Sequence, residues 1–301
     1  MTGKRLMHFH LEDPLRQSAM AGRHNFINLI SNVLRRAGYE IDFRDLSEAD
    51  RAFEGHSLTH MAQPPNARGL TFRRVYHYPF WQIEAVAQRW HWDVARARFD
   101  PDAVPADAAR FYGFWQKRLF GSAAAEARRD GFVYVPLQGH LRRQRVFQSC
   151  TPIEMLQHCL ARVPDRRIVA GLHPKETYAP GDLAALEDLC RYHDRLSVRT
   201  GGMEELLSGC DFVVTQNSGV AFSGFFFGKP ALLFGQIDFH HIAIKADHAA
   251  LDDSFAAVAR HRPAFDKYIW WFWQEQSINA GRAEAEDRIR ARLVRFGWPM
   301  D

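Results

Sequence analysis

The sequence predicts an α/β protein built on parallel sheets, and three observations predict it. Between residues 132 and 235, short β-branched or apolar runs alternate with longer amphipathic ones. That order suits a parallel sheet covered by helices on both faces. The first 43 residues show the same pattern in brief, as strand, helix and strand. The length of 301 residues is comfortable for two domains and long for one core.

Each element follows from local signals. Residues 5–11 (RLMHFHL) read as a strand. Residues 22–37 place Phe26, Ile27, Leu29, Ile30, Val33 and Leu34 on or near one helix face, Gly38 closes that helix, and residues 39–43 form a second strand. Residues 50–80 are less regular, with Pro64-Pro65 and Gly69 marking loops. Residues 80–98, which carry Trp81, Trp90 and Trp92, are expected to be helical. A loop at 99–108 leads to a helix at 107–119, and small and charged residues then replace aromatics at 121–131. Strands are expected at 132–136, 168–172, 196–199, 212–215 and 231–234. Helices are expected from Pro152 to about Arg162, at 182–193 and at 219–227, with a helical turn at 203–208. Residues 263–296 form one or two helices, the first rich in Trp and Phe, the second in Arg and Glu.

Composition narrows the function. A net charge of +4 suits a local anionic ligand but lacks the dense basic stripe of a nucleic-acid binder. No apolar run approaches a membrane span, and the N-terminus shows no signal-peptide h-region. Cys150, Cys159, Cys190 and Cys210 form no CxxC pair and read as reduced thiols of a cytoplasmic protein.

Three stretches carry chemistry. In VTQNSGVAFSGFFFGKPALLFG, residues 214–235, the polar turn Gln216-Asn217-Ser218-Gly219 sits between a buried strand and an apolar helix. Ligands of open α/β sheets bind at that edge, and a helix start there suits a phosphate. Asn217 and Ser218 can cap the helix and reach a ligand oxygen, and Gly219 permits close approach. In VAGLHPKE, residues 169–176, a strand ends at His173 with Pro174, Lys175 and Glu176 behind it. In VYVPLQGHLRRQR, residues 133–145, a strand ends at Pro136 and opens into Gln138, His140, Arg142, Arg143 and Arg145, a loop suited to an anionic sugar.

Together, VPLQ, HPKE and TQNSGVAFSGFFFGKPALLFG resemble the capsular polysaccharide biosynthesis proteins of the Kps type. Those are glycosyltransferases of the GT-B architecture that use a CMP-activated Kdo donor. The likeness covers roughly residues 131–240, with the motifs in the family's order. The His-Pro turn is also similar to that of bacterial sialyltransferases, in which the histidine contacts the CMP phosphate and a later Ser motif helps to hold it. The resemblance implies an α/β, GT-B-like chain of two Rossmann-like domains facing across a cleft. It implies CMP-sugar binding, with His173, Asn217 and Ser218 at the phosphate, as donor substrate and without a metal or other cofactor. The family often continues its PLQ strand toward an aspartate, whereas here Gln138 is followed by Gly139, His140 and arginines. The expected domains are residues 1–122 on the acceptor side, 131–260 for the nucleotide-sugar, and 261–301 as helices packing across both.

A base for the acceptor is expected from the N-terminal domain, where Asp13 and Glu12 follow the first strand. Arg16 and His24 there, with Arg143, are candidates for an acidic acceptor or sugar. The resemblance implies a saccharide or lipid-linked acceptor. Metal signals are weak: Asp100-Pro101-Asp102 lies in a proline-containing loop, and His8/His10 and His56/His60 lack a well-spaced third ligand. The run YIWWFWQEQ, residues 268–276, reads as core, with peripheral contact to a membrane or a polysaccharide assembly complex as the other reading. The basic helix after it is balanced by Glu284, Glu286 and Asp287 and reads as a solvated face. Two other classes share these features: a CDP-glycerol-type phosphotransferase, and a non-catalytic sugar-nucleotide-binding assembly protein.

Overall fold

The computed structural model describes residues 5–51 and 53–300. The chain begins β1 (Arg5–Leu11), α1 (Asp13–Met20), α2 (Asn25–Arg36), β2 (Tyr39–Asp45), β3 (His56–His60), β4 (Gly69–Arg74), β5 (Phe80–Glu84) and α3 (Asp93–Arg96). It continues α4 (Ala108–Phe120), β6 (Phe132–Pro136), α5 (Pro152–Arg162), β7 (Arg167–Leu172), α6 (Pro180–Tyr192), β8 (Leu196–Thr200) and α7 (Met203–Gly209). Then come β9 (Phe212–Thr215), α8 (Gly219–Phe225), β10 (Ala231–Leu233), β11 (Ile244–Lys245), α9 (Leu251–Arg260) and α10 (Phe265–Trp270). A π-helical turn at Trp271–Glu275 leads to β12 (Ile278–Asn279) and α11 (Ala285–Arg295). Two compact units result: residues up to Ala97 together with Phe272 onward, and Arg98–Trp271. These divisions fall elsewhere than 122 and 261. Helix α4 lies in the second unit, where Tyr112 stacks on Phe226 and its hydroxyl donates to the Phe225 carbonyl at 2.8 Å.

The first unit holds a six-stranded sheet in the order β12-β5-β4-β3-β1-β2. Strands β1 to β4 run parallel, and β5 and β12 are antiparallel additions. One face buries Phe9, Leu58, Phe72 and Ile83 in a core with Phe26 and Ile30 of α2 and Ile289 and Leu293 of α11. The opposite face is buried yet polar, with His8, His10, Ser57, Thr59, Thr71 and Glu84. That is why β3 and β4 escape a search for apolar alternation. Residues 80–98 are not a helix. Phe80–Glu84 is a strand with Gln82 and Glu84 buried on its polar face, and the tryptophans beyond it belong to short turns. Burial pushes the Glu84 carboxyl up to about 7, although the Arg292 guanidinium lies 2.6 Å away. Asp13-Pro14 opens a helix instead of shaping a bare turn, because proline suits a first helical turn, where N–H groups lack partners. The second helix starts at Asn25, after the His24 cap, so Arg23 lies outside it.

The second unit holds a six-stranded parallel sheet in the order β11-β10-β9-β6-β7-β8. Val133, Val135, Ile168, Ala170, Phe212 and Val214 pack with Met155, Leu156 and Cys159 of α5. Burial of each valine, leucine, isoleucine, phenylalanine or methionine among them stabilises the unit by about 1.5–3 kcal/mol relative to exposure. All four cysteines are free thiols, and burial raises their pKa.

The aromatic run at 268–276 is core, as its composition indicates. Tyr268 packs on Phe99 and Phe225 in the second unit, and Trp273 stacks on Phe80 at 4.3 Å in the first. Among the described residues no helix is long and apolar enough to cross a membrane.

Candidate functional site

In the second unit the chain runs outward from β6 to β7 to β8, then returns to the other side of β6 with β9. The loops after β6 and β9 therefore leave in opposite directions, and a crevice opens between them at the carboxyl edge. The loop after β6, residues 137–151, is tied down. The Gln216 amide donates to the Cys150 carbonyl at 3.0 Å, Ser149 N–H to Phe234 at 2.8 Å, and Gln148 bridges to Gly235. Gly235 is required there, since a Cβ would lie 2.8 Å from the Gln216 carbonyl oxygen.

A pocket of about 280 Å³ occupies this edge. The ends of β6 and β7, the β8–α7 turn and the start of α8 wall it, and Gln138, His173, Pro174 and Ser218 all line it. His173 is exposed and its orientation is set by its neighbours. Its backbone N–H donates to the Tyr178 hydroxyl at 2.9 Å, and its Nδ1 accepts from Lys175 N–H at 3.2 Å. With Nδ1 engaged as an acceptor, the ring proton belongs on Nε2, which becomes a donor. Ser218 is buried, and its Oγ accepts from Val220 N–H at 3.2 Å as the cap of α8. The hydroxyl proton remains to be donated. Its own N–H donates to Thr215 Oγ1 at 3.3 Å, which fixes the turn.

The other expected residues take separate places. Gln216 is a buried strut beneath the pocket, its Oε1 without a hydrogen-bond partner. Asn217 and Gly219 flank Ser218 but are not in the pocket wall. Lys175 and Glu176 are exposed beyond it, and the Glu176 carboxylate approaches Gly139, where a Cβ would come 2.8 Å from its Oε2. Arg143 is exposed on the 137–151 loop, while Arg142 pairs with Asp182 at 3.2 Å. Arg145 is half-buried over the Phe147 ring with Nε unpartnered, and burial lowers its pKa. The wall also contains residues not singled out in the sequence, among them Tyr134, Gly171, Gly201, Gly202 and Val220. A Cβ on Gly171 would lie 2.6 Å from Tyr134 Cε2, so the glycine makes room for that ring. Gly201 and Gly202 both adopt positive φ, and a Gly-Gly pair after a strand was a readable signal. Tyr134 carried none.

The first unit has its own reversal, between β1 and β3, since β2 and β3 flank β1. Glu12 ends the loop after β1, and its Oε2 lies 2.8 Å from Nδ1 of His60, the last residue of β3. Asp13 instead pairs with Arg16 at 2.6 Å on the first turn of α1. His24 caps α2, its Nδ1 accepting from Ile27 N–H at 3.2 Å, and burial, with His60 nearby, lowers its pKa. Among the described residues no three His, Cys, Asp or Glu side chains gather as a metal-ligand set. His56 packs on Tyr39 and Trp298, and Asp100 caps its own turn by accepting from Asp102 N–H at 3.0 Å.

No protein-family model matches the chain, and no curated protein matches it in sequence. Solved structures do. The chain is similar to the KpsC beta Kdo 2,7 transferase of Thermosulfurimonas dismutans, with 13% identity, 97% of this chain and 99% of that one covered, and a TM-score of 0.54. It is also similar to the KpsC beta Kdo 2,4 transferase of that organism, with 12% identity, 89% and 98% covered, and a TM-score of 0.46. A third is WaaG, a glycosyltransferase involved in lipopolysaccharide biosynthesis, with 9% identity, 94% and 99% covered, and a TM-score of 0.41. The first likeness shows a shared fold, two Rossmann-like units of the GT-B type.

Proposed function

We propose that the chain is a glycosyltransferase that moves an acidic, Kdo-like sugar from a CMP-activated donor to a saccharide or lipid-linked acceptor. One observation carries the reading. The His-Pro turn after β7 and the Ser-bearing turn after β9 are 45 residues apart in sequence, yet His173 and Ser218 line one pocket at the reversal of the sheet. The motifs that resemble Kps-type proteins thus converge in space, which a chance likeness of turns would not require.

The chemistry follows from what these groups can donate. As the glycosyl–phosphate bond breaks, negative charge grows on the leaving phosphate oxygen. His173 and Ser218 line that pocket, and bonds from the Lys175 and Val220 backbone N–H groups leave His173 Nε2–H and the Ser218 hydroxyl as donors. Preorganised donors of this kind stabilise developing charge without reorganising. Gln138 lines the same wall and Arg143 stands on the adjoining loop, a setting suited to an acidic sugar. Arg16 and His24, with the carboxylates of Glu12 and Asp13, supply the acceptor side from the first unit.

Incubation with CMP-Kdo and a saccharide acceptor tests the proposal by CMP release and sugar transfer. Acceptor-dependent release is expected. Turnover of CDP-glycerol in place of CMP-Kdo would overturn the donor assignment, and CMP binding with no turnover of any donor would overturn the catalytic one.

A further inference from the structure

We infer that His60, oriented by Glu12, takes up the proton of the acceptor hydroxyl; this rests on the transferase reading above. The two residues are 48 apart in sequence and meet only because β1 and β3 are neighbours. They meet at the carboxyl edge, at the point where the strand order of the first sheet reverses. Sheets of this kind present their reactive groups there.

The geometry favours this pair over Asp13. The Asp13 carboxylate is engaged by the Arg16 guanidinium at 2.6 Å. Glu12 occupies the cap position of α1 yet makes no side-chain cap bond to its own helix. It reaches across to His60 instead. A carboxylate on Nδ1 holds the proton on that nitrogen, and Nε2 is then a bare lone pair. No other bond to the His60 ring occurs among the described residues. The ring is seated against Phe72, with centroids 5.2 Å apart, and its side chain is 17% exposed, so it is fixed but reachable. Met61 directly after it adopts φ of 56°, a left-handed conformation that a bulky side chain rarely takes. Met61 N–H donates to Phe72 at 3.1 Å and Thr59 Oγ1 to Ala62 at 2.8 Å, which hold this turn closed. Such strain clusters at functional sites. His24, before α2, lies near enough to His60 for the two rings to interact electrostatically, and it already accepts a backbone N–H on Nδ1.

In the step, the acceptor O–H bond breaks and its proton passes to Nε2. The imidazolium so formed lies beside the Glu12 carboxylate. The oxygen's electron pair forms the new bond to the anomeric carbon, and that carbon's bond to its leaving oxygen breaks with the pair. Water removes the proton afterwards. Glu12 acts through His60 and is a positioning residue.

The full chain with His60→Gln tests this, because glutamine can keep the bond to Glu12 but supplies no base. The kcat is expected to fall by about 10²–10⁴-fold, with CMP affinity within a few-fold, an unchanged melting temperature and loss of the acid limb of the kcat–pH profile. Wild-type kcat and pH profile in that variant would overturn the inference and make the pair a latch between strands. Nitrogen-15 NMR of the wild type gives a readout that needs no turnover. His60 is expected as the Nδ1–H tautomer with Nε2 bare, and this signature should be lost in Glu12→Gln. An Nε2–H tautomer would overturn the inference whatever donor the protein uses. An Nδ1–H tautomer in a chain that does not turn over CMP-Kdo would support the pair and fault only the donor reading.

Discussion

Ser218→Ala separates a structural role from a binding role in one residue. In the native turn the Ser218 oxygen accepts from Val220 N–H at 3.2 Å, and its hydroxyl proton is left for a ligand. Alanine removes both. Loss of an N-cap costs about 1 kcal/mol, which in a unit spanning Arg98–Trp271 lowers the melting temperature by about 2–4 °C. Loss of a hydrogen bond to a charged phosphate costs about 1.5–3 kcal/mol, so CMP affinity should fall by about 10- to 150-fold. Ser218→Asn caps the helix but places its amide differently, so it should restore stability without restoring affinity. Ser218→Thr should restore both. Calorimetry for CMP and a thermal melt on each variant read the two effects apart. If Ser218→Ala melts lower but binds CMP as the wild type does, the serine is a cap and nothing more.

Three further outcomes follow from the structure. His173→Ala should lower turnover by about 10²-fold or more, as for loss of an electrostatic stabiliser, with the fold intact because the residue is exposed at a turn; a near-normal rate would reduce it to a turn residue. Gly235→Ala would set a Cβ 2.8 Å from the Gln216 carbonyl oxygen and 3.2 Å from that of Phe147, both backbone atoms. Overpacking of this sort should cost about 1–3 kcal/mol and weaken CMP binding by displacing the Gln216 turn; an unperturbed melt would show that the two loops yield freely. Glu84 binds its proton more tightly folded, at about 7, than unfolded, near 4.5. Its contribution is therefore full below the unfolded value and is lost as pH rises through about 7. Denaturation across that window should show the wild type losing about 3 kcal/mol more than Glu84→Gln, and parallel curves would contradict it.

Strands β6, β7, β9 and β10 were legible because each is an apolar run cut off by turn residues, as at Pro136, His173 and Gln216, whereas the two-residue β11 is too short to leave a pattern. Polar residues at those cut-offs lie at the carboxyl edge, so the place of His173 and Ser218 in the pocket wall could be anticipated. Tyr134 could not, since a tyrosine inside a buried strand looks like core until Gly171 is seen to make room for it. The first unit was harder. His8, Ser57, Thr59 and Thr71 are buried on strand faces, so burial there is not announced by hydrophobicity. The Trp-rich stretch at 80–98 misled for a related reason: Trp81 is buried on a strand, while Trp92 closes a turn through its Nε1–H to the Val86 carbonyl at 2.8 Å. The Glu12–His60 contact depends on which strands are neighbours, and no local pattern states that.

On the proposed function a cytidine nucleotide occupies the pocket at the reversal of the second sheet. A crystal structure of the protein soaked with CMP tests it directly. The phosphate is expected between the turns after β7 and β9, within hydrogen-bond distance of His173 Nε2 and Ser218 Oγ. CMP bound elsewhere, or a pocket left empty at millimolar CMP, would contradict it.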